Sequence, residues 1–305
     1  MKTAVITGPT GAVGAALIRE MTQNGTEVYA VIRGDSQRIG QIPSNPLVHV
    51  ICCSLEELSS LPQRVGKPCQ VFYHFAWAGT FGDSRNDMEL QNRNVAYTLA
   101  AVKAAEKLGC HTFVGAGSQA EYGRVEGLLT PETPSFPENG YGIAKLCAGQ
   151  MSRILCAQQG IRHVWTRILS VYGPCDRRET MIMAAIDKLL RGEKPSFTKG
   201  EQQWDYLYAQ DAARALYLLG EKGQDGRIYC LGSGKARPLA EYIQILRDAI
   251  DPGLPLGLGE IPYGSKQVMH LCADITQLKE DTGFEPQISF EAGIKETIAW
   301  LRSHR

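Results

Sequence analysis

The sequence carries no excess charge of either sign, with 32 Lys and Arg against 32 Asp and Glu in 305 residues, and no block of like charges. That balance offers no electrostatic reason to expect a nucleic acid or an anionic membrane as a partner. No run approaches the roughly 20 apolar residues that cross a bilayer. The opening "MKTAVITG" passes from Lys2 into a short apolar strand and a glycine, leaving no room for the apolar core of a secretory leader. A soluble, cytoplasmic protein is therefore expected. Nine cysteines are scattered without a Cys-x-x-Cys pair, and none of six histidines lies at metal-ligand spacing, so neither a disulfide framework nor a metal site is expected. Internal repeats, low-complexity tracts and long linkers are also missing.

What is present is alternation. "TAVITG", "EVYAVIR", "LVHVICC", "CQVFYHFAW" and "CHTFVGAGS" are short runs rich in Val, Ile, Phe and Cys, separated by helical patterns such as "GAALIREMTQNG" and "NVAYTLAAVKAAEKLG". Apolar runs without strict alternation suit strands covered on both faces, and the series predicts a doubly wound parallel α/β sheet. Residues 1–168 are expected to form this dinucleotide-binding domain, with 205–232 returning to it. Residues 169–204 and 233–305 would build mainly a smaller substrate-binding cap.

"TGPTGAVGAALIREM" places Gly8, Gly11 and Gly14 between the first strand and the first helix. Missing side chains there allow a tight turn, close approach of a pyrophosphate and close helix–strand packing. Thr10, Ala12 and Val13 complete the loop that would face the cofactor. At the end of the second strand, where a carboxylate would accept the ribose hydroxyls of NAD, stand Ile32 and then Arg33. Arginine can pair with the extra phosphate of NADP, so NADP(H) is preferred and NAD(H) remains open through Asp35.

"ENGYGIAKLCAGQMSRIL" carries Tyr141 and Lys145 one helical turn apart, and the strand before it ends at Ser118 in "FVGAGSQAEYG". Together with "HFAW", "NRNVAYT", "RILSVYGP", "WDYLYAQDAARA" and the closing "DITQLKEDTGFEPQISFEAGIKETIAW", these segments resemble the extended short-chain dehydrogenases/reductases along essentially the whole chain. That group includes nucleotide-sugar epimerases, dehydratases and ketoreductases. The resemblance implies Tyr141 as general acid/base, Lys145 on the nicotinamide ribose lowering the tyrosine pKa, and Ser118 on the same substrate oxygen. It further implies cofactor contacts from Ser54, Leu55, Phe75, Ala76, Trp77 and Asn94, and a homodimer formed through the helices around 93–108 and 141–158.

Several residues depart from the family's pattern. Gln119 and Ala120 occupy the places where dehydratases carry an acid for a second proton transfer, and Glu121 is expected to turn away. A dehydratase is thereby disfavoured, leaving reduction of a 4-keto sugar or, alternatively, 4-epimerisation with a retained cofactor. A non-catalytic dinucleotide sensor is the remote alternative, since the Tyr/Lys pair is kept. Trp204 stands where many relatives have a diphosphate-gripping arginine and Ser170 where asparagine is usual. Either Arg177, Arg178 or Lys266 would then hold the diphosphate or the substrate is not a nucleotide sugar, with Gln119, Ser170 and Trp204 also expected to line the substrate pocket.

"FYHFAWAGTFGDSRND" contains a histidine and a tryptophan where an apolar strand turns into a loop. In the strand series His74 reads as a buried structural residue. Trp77, in place of a small residue, is expected with its following loop to line the sugar pocket.

Overall fold

The computed structural model describes residues 1–304. Five parallel strands of the first half, β1 (Thr3–Thr7), β2 (Glu27–Ile32), β3 (Val48–Cys52), β4 (Val71–His74) and β5 (Thr112–Ser118), alternate with α1 (Ala12–Gln23), α2 (Leu61–Val65), α3 (Met88–Lys107) and α4 (Gly140–Gln158). Then come β6 (Arg162–Ile168), β7 (Ser170–Tyr172), α5 (Met181–Leu190), β8 (Gln203–Trp204), β9 (Tyr206–Tyr208), α6 (Ala209–Lys222) and β10 (Arg227–Leu231). The chain closes with β11 (Arg237–Pro238), α7 (Leu239–Asp248), β12 (His270–Leu271), α8 (Thr276–Thr282) and α9 (Phe290–Ser303).

The main sheet runs β10-β6-β5-β4-β1-β2-β3, and its ladders are all parallel. Alternate residues of β1 feed opposite faces: Ala4 and Ile6 join Leu17, Ile18, Leu216 and Leu219 under α1 and α6, whereas Val5 joins Phe72, Val102, Ala105 and Phe113 under α3. Burial on both faces explains why these strands read as continuous apolar runs. Strand order reverses between β1 and β4, and the crevice at that switch point, above the strands' C-terminal ends, is where such sheets take ligands.

The run "HVWTRILSVYG" divides at Leu169. Residues to Ile168 stay in the main sheet, and Ser170–Tyr172 leaves it to pair with β9. A second core of Tyr172, Ile186, Tyr242, Phe290 and Leu301 holds α5, α7 and α9 together beside the crevice. Segment 205–232 crosses back, α6 packing on α1 and β10 extending the sheet. Helix α8, from the stretch expected mainly in the cap, lies against α6 and β10.

Candidate functional site at the sheet's C-terminal edge

The glycine loop shows a separate physical reason for each glycine. Gly8 has a positive φ of 75°, and a Cβ on it would lie 2.8 Å from the Ala76 nitrogen, so the loop sits directly against the exit of β4. A Cβ on Gly14 would lie 2.2 Å from the Gly8 carbonyl oxygen, which makes glycine the condition for helix α1 to close on its strand. Gly11 is different: a Cβ there would meet nothing within 4 Å. That opening adjoins the N-terminus of α1, which has no side-chain cap and no acidic residue in its first turn. Free N–H groups, a helix dipole and an open glycine fit a pyrophosphate.

Tyr141, Ser118, Lys145 and Trp77 converge beside this loop. Asn139 caps α4, its side-chain oxygen accepting from the Gly142 N–H at 2.9 Å, and this sets Tyr141 in the first turn with Lys145 one turn on. Burial pushes the Tyr141 phenol above its ordinary pKa, while the Ser118 hydroxyl and the Arg85 guanidinium pull it back down. Lys145 is buried and its ammonium is pulled down to about 7 by desolvation, opposed by Glu121. Its Nζ donates to the Ala116 carbonyl at 2.6 Å and lies 3.8 Å from the centre of the Trp77 ring. Trp77 in turn meets Tyr141 edge to face, with ring centres 6.1 Å apart.

The Trp77 loop is held from below by α3. Trp77 Nε1 donates to Gln91 Oε1 at 2.8 Å, and the Gln91 amide nitrogen donates to the carbonyls of Gly79 and Ser84. Asn94, expected to contact the cofactor, is buried, and its amide is committed to the N–H and carbonyl of Ala78 and to the Leu90 carbonyl. His74 is buried, with Nδ1 2.9 Å from Thr7 Oγ1 and Nε2 unpartnered. Desolvation, with the Lys145 charge, takes its imidazole down to about 3, so it is neutral and no base at physiological pH.

Behind Ser118 lies a buried ionic network that sequence reasoning missed. Glu121 does turn away from the crevice: its carboxylate accepts from the Ser118 N–H at 2.8 Å, from Trp165 Nε1 at 3.1 Å and from Arg167 Nε at 2.8 Å. Arg167 also donates to Ser135 Oγ and lies over the Tyr122 ring. The glutamate is 46 residues from its arginine, and no local pattern announces the pair.

Other expected contacts are less direct. Ser54 closes a capping box with Glu57 at the turn Leu55–Ser60, its N–H donating to Glu57 Oε2 at 3.1 Å. Ser170 and Trp204 are bonded to each other, indole Nε1 to Oγ at 2.8 Å, so the two departures from the family pattern satisfy one another. Gln119 opens the short turn after β5 and is partly exposed. Arg177 lines a cleft of about 600 Å³ with Arg38, Arg178, Phe81 and Trp300. Lys266 is exposed on a loop beside Glu138, away from that cleft's lining. Arg33 is exposed at the exit of β2, 3.6 Å from Asp35.

A family model described as "NAD dependent epimerase/dehydratase family" matches residues 4–232. A dTDP-glucose 4,6-dehydratase from Xanthomonas campestris pv. campestris is 27% identical over 232 residues, covering 70% of this chain and 66% of its own length. The match thus spans just under two thirds of that relative. The fold is shared with UDP-N-acetylglucosamine 4-epimerase from Methanobrevibacter ruminantium M1, solved with UDP-N-acetylmuramic acid: the TM-score is 0.90 at 21% identity, over 100% of this chain and 99% of that one. It is shared also with a dTDP-glucose 4,6-dehydratase from Streptomyces venezuelae, solved with NAD, at a TM-score of 0.87 and 21% identity over 99% and 98% of the two chains.

Proposed function

We propose that this chain, which belongs to the NAD dependent epimerase/dehydratase family, is an oxidoreductase that reduces a nucleotide-linked 4-keto hexose with NADPH. The observation that carries the reading is the convergence of Tyr141, Ser118 and Lys145 at the sheet's C-terminal edge with no acid at the two positions that follow Ser118. Gln119 and Ala120 cannot exchange a proton, and Glu121 is bonded to Arg167. The elimination named for the dehydratase relatives would need such a group; simple reduction does not.

A bound nicotinamide would supply hydride-transfer chemistry at this site. The chain's own residues do the rest. Gly8, Gly11, Gly14 and the α1 N-terminus fit the pyrophosphate. Arg33 favours a 2′-phosphate, because its exposed pairing with Asp35 is weak and readily exchanged. Ser118 and Tyr141 would hold the substrate oxygen, and the Tyr141 O–H would give its proton to that oxygen as the carbonyl becomes an alcohol. Trp77 walls the sugar side, and Arg177 with Arg38 and Arg178, in a cleft that Asp176 and Glu179 also line, would hold a diphosphate.

A homodimer is part of the proposal. Ile143, Cys147, Met151 and Ile154 recur at helical spacing along α4 and are exposed, an apolar stripe suited to a second copy. The fold has no helix long and apolar enough to cross a membrane among the described residues.

The test is to give the purified protein 4-keto nucleotide sugars with NADPH or NADH and to follow both sugar and cofactor. Stoichiometric NADPH oxidation with alcohol formation is expected. Interconversion of two sugars without net cofactor loss would establish an epimerase instead, and conversion of a nucleotide hexose to its 4-keto-6-deoxy form a dehydratase.

A further inference from the structure

We propose that Gln91 is a positioning residue for substrate selectivity: it fixes the orientation of the Trp77 indole, and so the shape of the wall that the ring presents to the sugar. The inference rests on the reading above in which Trp77 walls that pocket, and it names what sets the wall. Gln91 is 1% exposed, and its amide is bonded at both ends. Oε1 accepts from Trp77 Nε1 at 2.8 Å, and Nε2 donates to the carbonyls of Gly79 at 2.8 Å and Ser84 at 2.9 Å. The amide admits one orientation, because exchanging its oxygen and nitrogen would set donor against donor at the indole and acceptor against acceptor at both carbonyls.

The way this amide is divided separates it from a side chain that merely holds a loop. Asn94, one helical turn further along the same face of α3, already holds Ala78 by its N–H and its carbonyl, at 3.0 and 2.9 Å. The Gln91 nitrogen adds Gly79 and Ser84. The backbone is therefore secured without the Gln91 oxygen, which is spent on a side chain, and a bond to the edge of a ring fixes the ring's rotation. Gly79 makes the close approach possible: its φ is 70°, and a Cβ there would lie 2.9 Å from Gln91 Nε2 and 2.7 Å from Leu90 Cδ2.

The orientation matters in the crevice. Trp77 is partly exposed; one face of its ring covers the Lys145 ammonium, and Tyr141 meets it edge to face. An indole has a single N–H, and here it is turned into the protein toward Gln91. Trp77 thus meets a sugar with carbon alone, a surface that suits C–H groups and a deoxy carbon and gives nothing to a hydroxyl. An indole released from Gln91 would turn, changing the wall's shape and bringing a donor to it. Gln91 acts through the tryptophan and does not touch substrate.

Two measurements test this, and the first needs neither substrate nor cofactor. Protein labelled with 15N gives one indole signal for each of four tryptophans, and that of Trp77 is the one lost in Trp77→Phe. Its N–H should exchange slowly with solvent in the wild type and roughly fivefold or more faster in Gln91→Met, the scale of one lost hydrogen bond. Trp165 and Trp204, bonded elsewhere, should be unaffected. The second measurement is kinetic, on whichever nucleotide hexose the protein turns over, by reduction, epimerisation or elimination. Gln91→Met should raise its KM about fivefold while kcat and dinucleotide Kd move no more than about twofold, and the same change made in Trp77→Phe should add nothing, since the bond is already gone. A wild-type Trp77 proton that exchanges as fast as that of an unstructured tryptophan would overturn the proposal whether or not Gln91→Met folds. So would exchange unaltered by Gln91→Met, or a KM effect of equal size with and without the indole, which is what a residue that only holds the loop would give.

Discussion

Glu121→Gln is the substitution whose consequence follows most fully from the geometry. The carboxylate gathers the Ser118 N–H, the Trp165 indole N–H and the Arg167 guanidinium within 3.1 Å, and both charged side chains are almost wholly buried, at 1% and 3% exposure. Glutamine keeps the shape but presents one oxygen and one NH2, so at least one donor must face a donor. Arg167 would keep Ser135 Oγ, the Tyr122 ring face and, at 3.5 Å, the Pro131 carbonyl, none of which carries a charge. Breaking a buried pair from one side costs about 3–5 kcal/mol, because the remaining charge is neither solvated nor paired. Urea unfolding read by tryptophan emission measures the loss, with Trp165 inside the network as a local reporter. Replacing both partners together, Glu121→Leu with Arg167→Met, should cost less than the two single changes summed. A loss below about 1 kcal/mol in Glu121→Gln, the size typical of an exposed pair, or strict additivity in the double variant would refute the reasoning.

Other outcomes follow from the crevice. Gly11→Ala should fold with unchanged stability, since its Cβ enters open space, yet lower dinucleotide affinity at least tenfold in a titration; equal affinity would remove the pyrophosphate from that opening. Gly14→Ala should instead lose stability, because its Cβ would strike the Gly8 carbonyl, and a thermal melt matching wild type would contradict the packing argument. Trp77→Ala should change substrate KM or sugar selectivity about tenfold while dinucleotide Kd moves no more than about twofold. The reverse pattern would make the tryptophan part of the cofactor site.

The sheet was legible because its strands are buried on both faces and therefore appear as unbroken apolar runs. Tyr141 and Lys145 were legible because helical spacing alone fixes their separation, and the glycine loop because its demands fall on adjacent residues. The pairing of Ser170 with Trp204, of Trp77 with Gln91 and of Glu121 with Arg167 was not, since each joins residues from different elements and neither partner's neighbours encode the other. Arg85 belongs to the loop expected to line the sugar pocket, and only the docking of that loop on Gly140 brings it over the Tyr141 ring. Asn94 illustrates the converse, a residue picked out by its motif whose amide the fold uses to hold backbone.

As proposed, Tyr141 would donate the proton while the rest of the crevice binds cofactor and substrate. It is tested most directly by comparing wild type and Tyr141→Phe for NADPH-dependent reduction of a 4-keto nucleotide sugar, alongside dinucleotide binding to each. The expected result is a loss of kcat of about a hundredfold or more, the scale of general acid catalysis, with dinucleotide affinity preserved. Turnover undiminished by the missing hydroxyl would contradict it.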